Sequence, residues 1–283
     1  MNSQIIVLPL QRHISFSVKI KDIISALERF APLPLQESYD NAGLQVGLTT
    51  ADEVSGALLC LDVTEDVIRE AADLGCNLIV SHHPLLFRPL RQLTDKTQVE
   101  RCVRLAVEQG ITLYAAHTNL DNTEDGVNYR IAEKLGLVDV QMMQRHPVRV
   151  GERSVTAGSG VIGYLTGPED SLAFLQRIKD VFHVETLQHN ELLQRPIQSV
   201  ALCGGAGAFM LDEAIRLEAD AFLTGEMSYH QFFGHEQEIQ LAVIGHYQSE
   251  QYTKEIFYNI ISDLAPDLPL FITSIDTNPI KYL

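Results

Sequence analysis

The chain has 283 residues, and its 37 acidic and 21 basic side chains give a formal net charge of −16 at pH 7. Its hydrophobic content of 46% and charged content of 20% are typical of a globular protein and exclude a disordered tail protein, while its length suggests roughly two domains. The acidity disfavours a nucleic-acid groove or an anionic membrane surface as a partner, because both attract Lys and Arg clusters, but it is compatible with metal binding.

None of the four cysteines belongs to a Cys-x-x-Cys pair, and each lies in or beside an apolar run: Cys60, Cys76, Cys102 and Cys203. This pattern argues against a disulfide framework or a structural zinc site and predicts reduced, buried thiols in a cytoplasmic protein. The start of the chain is apolar but lacks a basic segment and a cleavage site, so no signal peptide is expected. No apolar run approaches the ~18 residues of a membrane span.

The first half of the chain alternates short apolar runs with amphipathic stretches. Thr64 is a candidate N-cap for a helix that Gly75 would end, and Gly110 and Gly136 follow two further amphipathic stretches. Besides that helix, the pattern predicts strands over 58–63, 77–81 and 111–116 and helices over 96–109 and 127–135. This order is typical of an α/β protein whose apolar strands are buried.

The second half repeats the same order of elements. Its pattern predicts strands over 199–203, 221–224, 241–245 and 268–274, a glycine turn over 204–207, and helices over 208–218 and 250–264. The segment 58–83 overlays 201–226 without a gap, and 111–121 overlays 239–250 with one inserted residue. The hydrophobic pattern alone could give one such match by chance, but polar residues in register favour duplication. We therefore expect an N-terminal extension over 1–17 and two intertwined α/β lobes over 18–145 and 146–283, with 141–154 linking them.

Polar residues follow the predicted strands at equivalent places in the two lobes. His82 and His83 follow one strand, and Gly225 and Glu226 stand at the matching place in the second lobe. After the next strand of each lobe come His117-x-x-x-Asp121 and His246-x-x-x-Glu250. Ligands of open α/β sheets bind at the carboxyl ends of strands, and a pseudo-twofold pairing of the lobes would bring these ends together.

Histidines with carboxylates are suitable ligands for first-row divalent metals. Successive side chains of a regular strand point to opposite faces, so His82 and His83 could not easily bind one ion from a strand. On a loop after the strand they could bind two neighbouring ions. This favours a dinuclear site that activates water. Simpler interpretations remain open, since the histidine pair could face solvent, Glu250 could complement a helix dipole, and Asp121 could be a turn or N-cap residue.

Other residues are candidates for supporting roles around this site. His117 could orient a ligand or substrate or be a ligand itself, Glu226 or His117 could move a proton, and His230 could reach the site from a neighbouring stretch. Backbone amides of Gly204 and Gly205 could receive a phosphate, or the glycine turn could serve packing alone. Further candidates for substrate binding, which could equally be turn residues, are Asp40, Asn41 and Asn119.

Seven ordered motifs, from about Val18 to the C-terminus, resemble the Nif-three-like family, whose bacterial members carry the label GTP cyclohydrolase I type 2 homologue. They are YDNAGLQVG, LDVT, SHHPLLF, HTNLD, CGGAGAF, TGE followed by His230, and GHYQSE. The resemblance implies two interlocked lobes in their compact form and a ring-shaped hexamer. It also implies a dinuclear site with Glu250 bridging two ions, and the implied ligands are His82, His83, Asp121, His246 and Glu250.

Two functional hypotheses follow from the sequence and this resemblance. The first is a metal-dependent hydrolase that uses two divalent ions per chain, whether Zn, Fe, Mn or Co, on a small nucleotide-like or heterocyclic substrate. The second is a non-catalytic protein that binds or delivers metal, or a ring-shaped scaffold. Turnover that is lost in His82→Ala or Glu250→Gln would support the first hypothesis, whereas weak, exchangeable metal without turnover would support the second.

Overall fold

The computed structural model describes residues 18–47 and 52–283 of the chain. The proposed N-terminal extension, 1–17, therefore lies outside the described residues. The remainder is built from two main sheets flanked by helices, which confirms the α/β class. Among the described residues, no helix combines the length and apolar character needed to cross a membrane.

The first sheet is mainly parallel and consists of short strands of three or four residues. Its strands are β1 (Gly43–Val46), β2 (Ala57–Cys60), β3 (Leu78–Ser81), β4 (Thr112–Ala115) and β13 (Leu270–Ile272). They lie in the order β1-β4-β3-β2-β13, with only β1 antiparallel to its neighbour. Every residue of β2, β3 and β4 is buried, which explains why these strands lack polar alternation.

The first half has five α-helices among the described residues, and the three that the sequence predicts begin and end near the predicted residues. The five helices are α1 (Ile20–Phe30), α2 (Glu65–Asp73), α3 (Gln98–Gln109), α4 (Thr118–Asp121) and α5 (Val127–Lys134). Thr64 caps α2, because its hydroxyl accepts a hydrogen bond from the Val67 amide at 3.3 Å. Gly110 ends α3 in the left-handed conformation, with φ +69°.

The second sheet has a parallel centre with antiparallel strands on either side. It contains β5 (Val138–Met142), β8 (Val161–Glu169), β9 (Gln188–His189), β10 (Ile197–Cys203), β11 (Ala221–Thr224) and β12 (Gln240–Val243). The order is β5-β8-β10-β11-β12-β9. A separate hairpin pairs β6 (His146–Val150) with β7 (Arg153–Ala157) and overlaps the predicted linker, 141–154.

Helices of the second half differ from their predicted lengths. They are α6 (Ser171–Phe182), α7 (Leu211–Arg216), α8 (His246–Glu250) and α9 (Thr253–Leu264), with short 3-10 helices at Leu33–Leu35, Gly207–Met210 and Tyr229–Phe232. The helix predicted over 250–264 is therefore divided, and its first part begins earlier, directly after Gly245. Gly245 has a φ of +98°, which lets the chain turn from β12 into α8.

The two sheets repeat the same strand register, which supports the predicted duplication. In the first sheet Ala57 pairs with Leu78, and in the second Val200 pairs with Ala221. At the carboxyl ends of these strands Cys60 pairs with Ser81 and Cys203 with Thr224. Each central β-α-β unit thus ends its strands at equivalent positions, which places the loops that follow them in equivalent positions too.

The lobes interlock because strands and core residues cross between them. β13, near the end of the chain, pairs with β2 of the first sheet, whereas β5, from the first half, pairs with β8 of the second. One hydrophobic cluster contains residues of both sheets, among them Leu59, Tyr114, Val200 and Leu223. The boundaries 18–145 and 146–283 stay a prediction, and sheet membership does not follow them.

Candidate metal centre

The polar residues that follow the strands converge in space. His82 and His83 come directly after β3, Asp121 ends α4 beyond β4, and His246 and Glu250 lie on α8 beyond β12. Their donor atoms form overlapping groups in which all atoms lie within 4.8 Å of one another. The parallel pairing of the strands within each sheet and the packing of the two sheets bring these strand ends together, as the sequence predicts.

The first donor group consists of His83, His246 and Glu250. Glu250 Oε2 lies 2.9 Å from His83 Nε2 and 3.0 Å from His246 Nε2. The two Nε2 atoms are 3.3 Å apart. Two nitrogens bound to one tetrahedral zinc ion at about 2.0–2.1 Å would lie roughly 3.3 Å apart, so the spacing of this group fits a metal ion.

The second donor group consists of His82, Asp121 and the same Glu250. His82 Nε2 lies 3.7 Å from Asp121 Oδ1 and 3.7 Å from Glu250 Oε2. The His82 ring is fully buried, and its Nε2 atom has no hydrogen-bond partner among the described residues. A buried nitrogen without a partner is costly unless something binds it, and a metal ion between these three groups would do so.

A third group brings His117 close to His82 and His83. The His117 ring centroid lies 5.3 Å from that of His82 and 5.5 Å from that of His83. Its Nδ1 donates a hydrogen bond to Asp40 Oδ1 at 2.7 Å. His117 therefore lies beside the cluster, with its Nδ1 held by Asp40 and its Nε2 without a hydrogen-bond partner among the described residues. Its role as ligand or orienting group stays a prediction.

The Nδ1 atom of every histidine in these groups donates to a protein acceptor. His82 donates to the Ala116 carbonyl at 2.8 Å, His83 to Asp62 at 2.7 Å, and His246 to Glu226 at 2.9 Å. Such bonds fix the tautomer and orientation of a metal-binding imidazole and leave Nε2 as the ligand atom. The arrangement favours metal binding over a set of unrelated loop histidines.

Asp62 is a supporting residue that the sequence analysis did not assign. It follows β2 by two residues and lies between His83 and the C-terminal segment, where the Thr277 hydroxyl donates to its Oδ2 atom at 2.7 Å. In the sequence, Asp62 stands out only as part of the LDVT motif of the family resemblance. The signal that could have identified Asp62 is its position, because it stands after a strand of the duplicated unit, as His83 does.

The ionisation of the cluster is dominated by Glu250. Burial raises the pKa of this carboxyl, but the neighbouring His82 and the bonds from His246 and His83 outweigh burial and hold the pKa well below its usual range. Burial lowers the pKa values of His83 and His246, but their bonds to carboxylates raise them to about 10 and about 9. An anionic Glu250 surrounded by imidazoles is a centre that a divalent cation would also satisfy.

Asp121 and Asp40 have opposite shifts. Burial and the neighbouring charge of Glu250 raise the pKa of Asp121 to about 7, because two carboxylates share one small space. Burial also raises the pKa of Asp40, but bonds from His117 and Thr118 lower it to about 2. Asp40 is thus a fixed anion that holds His117, whereas Asp121 would benefit from a cation beside it.

The glycine turn after β10 packs against the cluster. The Gly204 amide donates to Asn128 and the Gly205 amide to Ser249, each at 2.9 Å. Gly205 has a φ of +56°, and a Cβ atom there would lie 2.1 Å from Glu250 Oε1. These contacts favour the packing interpretation of the turn, and substrate binding by Gly204 and Gly205 stays a prediction.

Three other candidates lie away from the donor atoms. Asn41 is exposed and donates to the Leu86 carbonyl, which ties it to the loop after His83. Asn119 is fully buried and bridges the His117 amide and the Ala31 carbonyl. The structure does not bring His230 to the cluster, because this residue is exposed on a 3-10 helix and packs against Tyr229.

Known proteins resemble this chain over nearly its whole length. A Clostridium perfringens protein named GTP cyclohydrolase 1 type 2 homolog is 36% identical over 235 residues, which cover 82% of this chain and 87% of that relative. The Drosophila melanogaster NIF3-like protein 1 is 29% identical over 269 residues, covering 93% of this chain and 88% of that relative. The crystal structure of Staphylococcus aureus protein SA1388 matches with a TM-score of 0.84 and 25% identity, covering 94% and 99% of the two chains.

The family model described as Duf34/NIF3 (NGG1p interacting factor 3) matches residues 18–279. This range contains the donor groups, the residues that hold them and both sheets. The match agrees with the resemblance that the seven sequence motifs indicate. The chain therefore belongs to the Duf34/NIF3 family.

Proposed function

We propose that this protein binds two divalent metal ions per chain and uses them to hydrolyse a small nucleotide-like or heterocyclic substrate. The observation that carries the proposal is the sharing of Glu250 between two donor groups, one with His83 and His246 and the other with His82 and Asp121. A carboxylate shared in this way can bridge two ions. The relatives named GTP cyclohydrolase 1 type 2 homolog are compatible with hydrolytic chemistry on a heterocycle.

The residues around the ions would have separate roles in this chemistry. Divalent ions in such a site supply Lewis acidity and lower the pKa of water. Asp62, Glu226 and the Ala116 carbonyl orient the ligand imidazoles by holding their Nδ1 atoms. His117, held by Asp40, is better placed than Glu226 to move a proton, because the Glu226 carboxylate is engaged with His246.

Elemental analysis of purified protein, joined to a hydrolysis screen, tests the proposal. We expect about two equivalents of metal per wild-type chain, and a large loss of metal and turnover in a His82→Ala/His83→Ala double variant and in Glu250→Gln. His189→Ala is the matched control, because His189 is exposed on β9 and its ring, within the described residues, hydrogen-bonds only to the neighbouring Asn190 carbonyl.

The outcomes separate the two functional hypotheses. Equal and low metal contents in the wild type and the double variant would contradict the metal site. Metal in wild-type protein that exchanges readily with a chelator, with no turnover of any substrate in the screen, would support a metal-handling or scaffold protein and contradict the hydrolase.

We further propose that the protein acts on a small molecule in the cytoplasm as a homo-oligomer, with the family's ring-shaped hexamer as the expected form and neither nucleic acid nor membrane as a partner. All four cysteines are buried and free, which is compatible with a reducing compartment. Light scattering coupled to size-exclusion chromatography should give a mass six times that of the 31.6 kDa chain. A monomeric mass at micromolar concentration would contradict the oligomer.

A further inference from the structure

A cavity of about 450 Å³ lies directly over the metal-binding cluster. His83, His117, Asp121, His246 and Glu250 belong to its wall, so a molecule in the cavity would contact the donor atoms. Residues that follow strands of both sheets complete the wall. The volume lies within the range of small-molecule sites, and the cavity is the natural place for a substrate of the proposed hydrolase.

Aromatic rings line this cavity from both lobes. Tyr39 and Phe87 come from the first lobe, with ring centroids 6.4 Å apart, and Phe209 follows the glycine turn of the second. Their exposed fractions are 64%, 42% and 63%, respectively, which is high for large apolar side chains. Exposed aromatic faces around a cavity provide stacking surfaces for a planar ring, and each such stack contributes measurably to binding.

Apart from the histidines of the metal-binding groups, the lining of the cavity offers no basic side chain among the described residues. Its carboxylates are Glu37, Asp121 and Glu250, and its described lining contains neither Lys nor Arg. A neighbouring cavity of about 570 Å³, which shares Ala206 and His246 with the first, is lined by Glu226 and likewise by no Lys or Arg among the described residues. Proteins that bind polyphosphates supply cationic groups or free backbone amides, and the nearby Gly204 and Gly205 amides already donate to protein acceptors. The charge of two divalent ions would be offset by four carboxylates at the cluster, so the ions would leave no surplus positive charge for a polyphosphate. These carboxylates belong to Asp62, Asp121, Glu226 and Glu250.

Glu37 gives the cavity a specific polar group. Its backbone amide donates to the Thr118 hydroxyl at 2.9 Å, and its Oε1 atom accepts from Asn122 Nδ2 at 3.1 Å. Asn122 is itself held by Ser159, so the carboxylate is well supported. Within the described residues Oε2 has no protein donor, so Glu37 can accept from the N–H edge of a bound ring.

We propose that this cavity binds a neutral planar heterocycle with adjacent N–H donors and without a polyphosphate, stacked against Phe87, Tyr39 and Phe209 and recognised by Glu37. The proposal rests on the proposed function in placing the substrate over the metal centre. It narrows that function, because a guanine-like base or nucleoside meets these requirements whereas a nucleoside triphosphate does not.

Equilibrium binding to the metal-loaded wild-type protein, measured by calorimetry, tests this proposal independently of turnover. The probes are guanosine, GTP and adenosine, which share a purine ring but differ in phosphate charge and in the donor edge. We expect guanosine to bind at least about tenfold more tightly than GTP and more tightly than adenosine. Phe87→Ala and Phe209→Ala should each weaken guanosine binding about tenfold without loss of metal.

Matched variants separate recognition from general damage to the protein. Glu37→Gln should weaken guanosine binding but not adenosine binding, whereas Glu152→Gln, at an exposed position between β6 and β7, should change neither. Phe233→Ala removes an equally exposed phenylalanine that lies outside the cavity lining, and should leave binding unchanged.

The proposal is overturned by tighter binding of GTP than of guanosine, which would show that the metal ions or another subunit supply positive charge to the triphosphate. It is also overturned by guanosine binding that Phe87→Ala and Phe209→Ala leave intact, or by no binding of guanosine to fully metal-loaded protein. A failure of the metal centre would be recognised separately, because the elemental analysis of the same wild-type sample would then show no bound metal.

Discussion

Asp62 is not a member of the metal-binding groups, but it orients His83, which is one. It accepts from His83 Nδ1 and from the Thr277 hydroxyl, so it connects a ligand imidazole to the C-terminal segment. The same arrangement recurs at His246 with Glu226 and at His117 with Asp40. Such partners orient the ring and raise its basicity, and their loss typically weakens metal binding.

Asp62→Asn should therefore weaken metal binding by about 10–100-fold while leaving all proposed ligands in place. The amide keeps the size of the side chain but removes the negative charge that orients His83. Competition with a chromogenic chelator measures the effect. Asp66→Asn is the control, because Asp66 is exposed on α2 and pairs with Arg69. Equal affinities of the Asp62→Asn variant and the wild type would show that Asp62 serves only the fold.

Gly205→Ala should reduce metal content although it adds only one methyl group. The new Cβ atom would lie 2.1 Å from Glu250 Oε1. The backbone at Gly205 also has a positive φ, which residues other than glycine rarely adopt. Glu250 must then move away from the imidazoles. Elemental analysis checks this, with Gly167→Ala as the control, because an added Cβ there meets no atom within 4 Å. Full metal content in Gly205→Ala would contradict the close packing described above.

The sequence indicates the candidate donor residues more directly than the residues that hold or contact them. His82, His83, Asp121, His246 and Glu250 stand after strands of a duplicated unit, and strand ends are read directly from the hydrophobic pattern. Asp62 and Glu37 act through hydrogen bonds to residues far away in the chain, and nothing local in the sequence specifies those partners. Gly205 is visible in the sequence, but its contact with Glu250 depends on how the second sheet packs.

The C-terminal strand β13 is an element whose conformation the sequence predicts but whose partner strand it does not. Its apolar pattern predicts a strand, but its pairing with β2 joins residues more than two hundred positions apart. Glu70 of α2 stabilises this junction, because it accepts from the Ser274 amide and hydroxyl and from the Thr273 hydroxyl. Burial raises the pKa of Glu70, but these hydrogen bonds outweigh it and lower the pKa from its usual value.

Glu70→Gln should lower the free energy of unfolding by about 1 kcal/mol at pH 7, because the partly exposed carboxylate loses charged hydrogen bonds. The native pKa is below the unfolded value of about 4.3, so the carboxylate stabilises the fold above that pH and ceases to do so as the pH falls through the native pKa. The difference between variant and wild type should therefore shrink in acid.

Urea unfolding at pH 7 and below pH 4 measures this difference. Asp73→Asn is the control, because Asp73 is exposed at the end of the same helix and should change stability little at either pH. A difference that stays constant across the pH range would show that the hydrogen bonds of Glu70 do not depend on its charge.

For the whole molecule, the decisive feature is a core that both sheets share. Leu59 and Val80 of the first sheet and Val200 and Ala242 of the second belong to one hydrophobic cluster, to which α9 contributes the fully buried Phe257. Composition and length suggest about two domains, and the duplication suggests two lobes. Neither reveals that the lobes share a core, since this depends on the exchange of β5 and β13 between the sheets.

Phe257→Ala should destabilise the protein by about 3–5 kcal/mol, because it removes a large buried side chain and leaves a cavity at the junction of the sheets. If the core is shared, both sheets should lose stability together, and far-UV circular dichroism should show one urea transition at a lower midpoint. Tyr258→Ala is the control, since Tyr258 is 43% exposed and its removal should cost little. Two separate transitions in Phe257→Ala, with one at the wild-type midpoint, would show that each lobe folds around its own core.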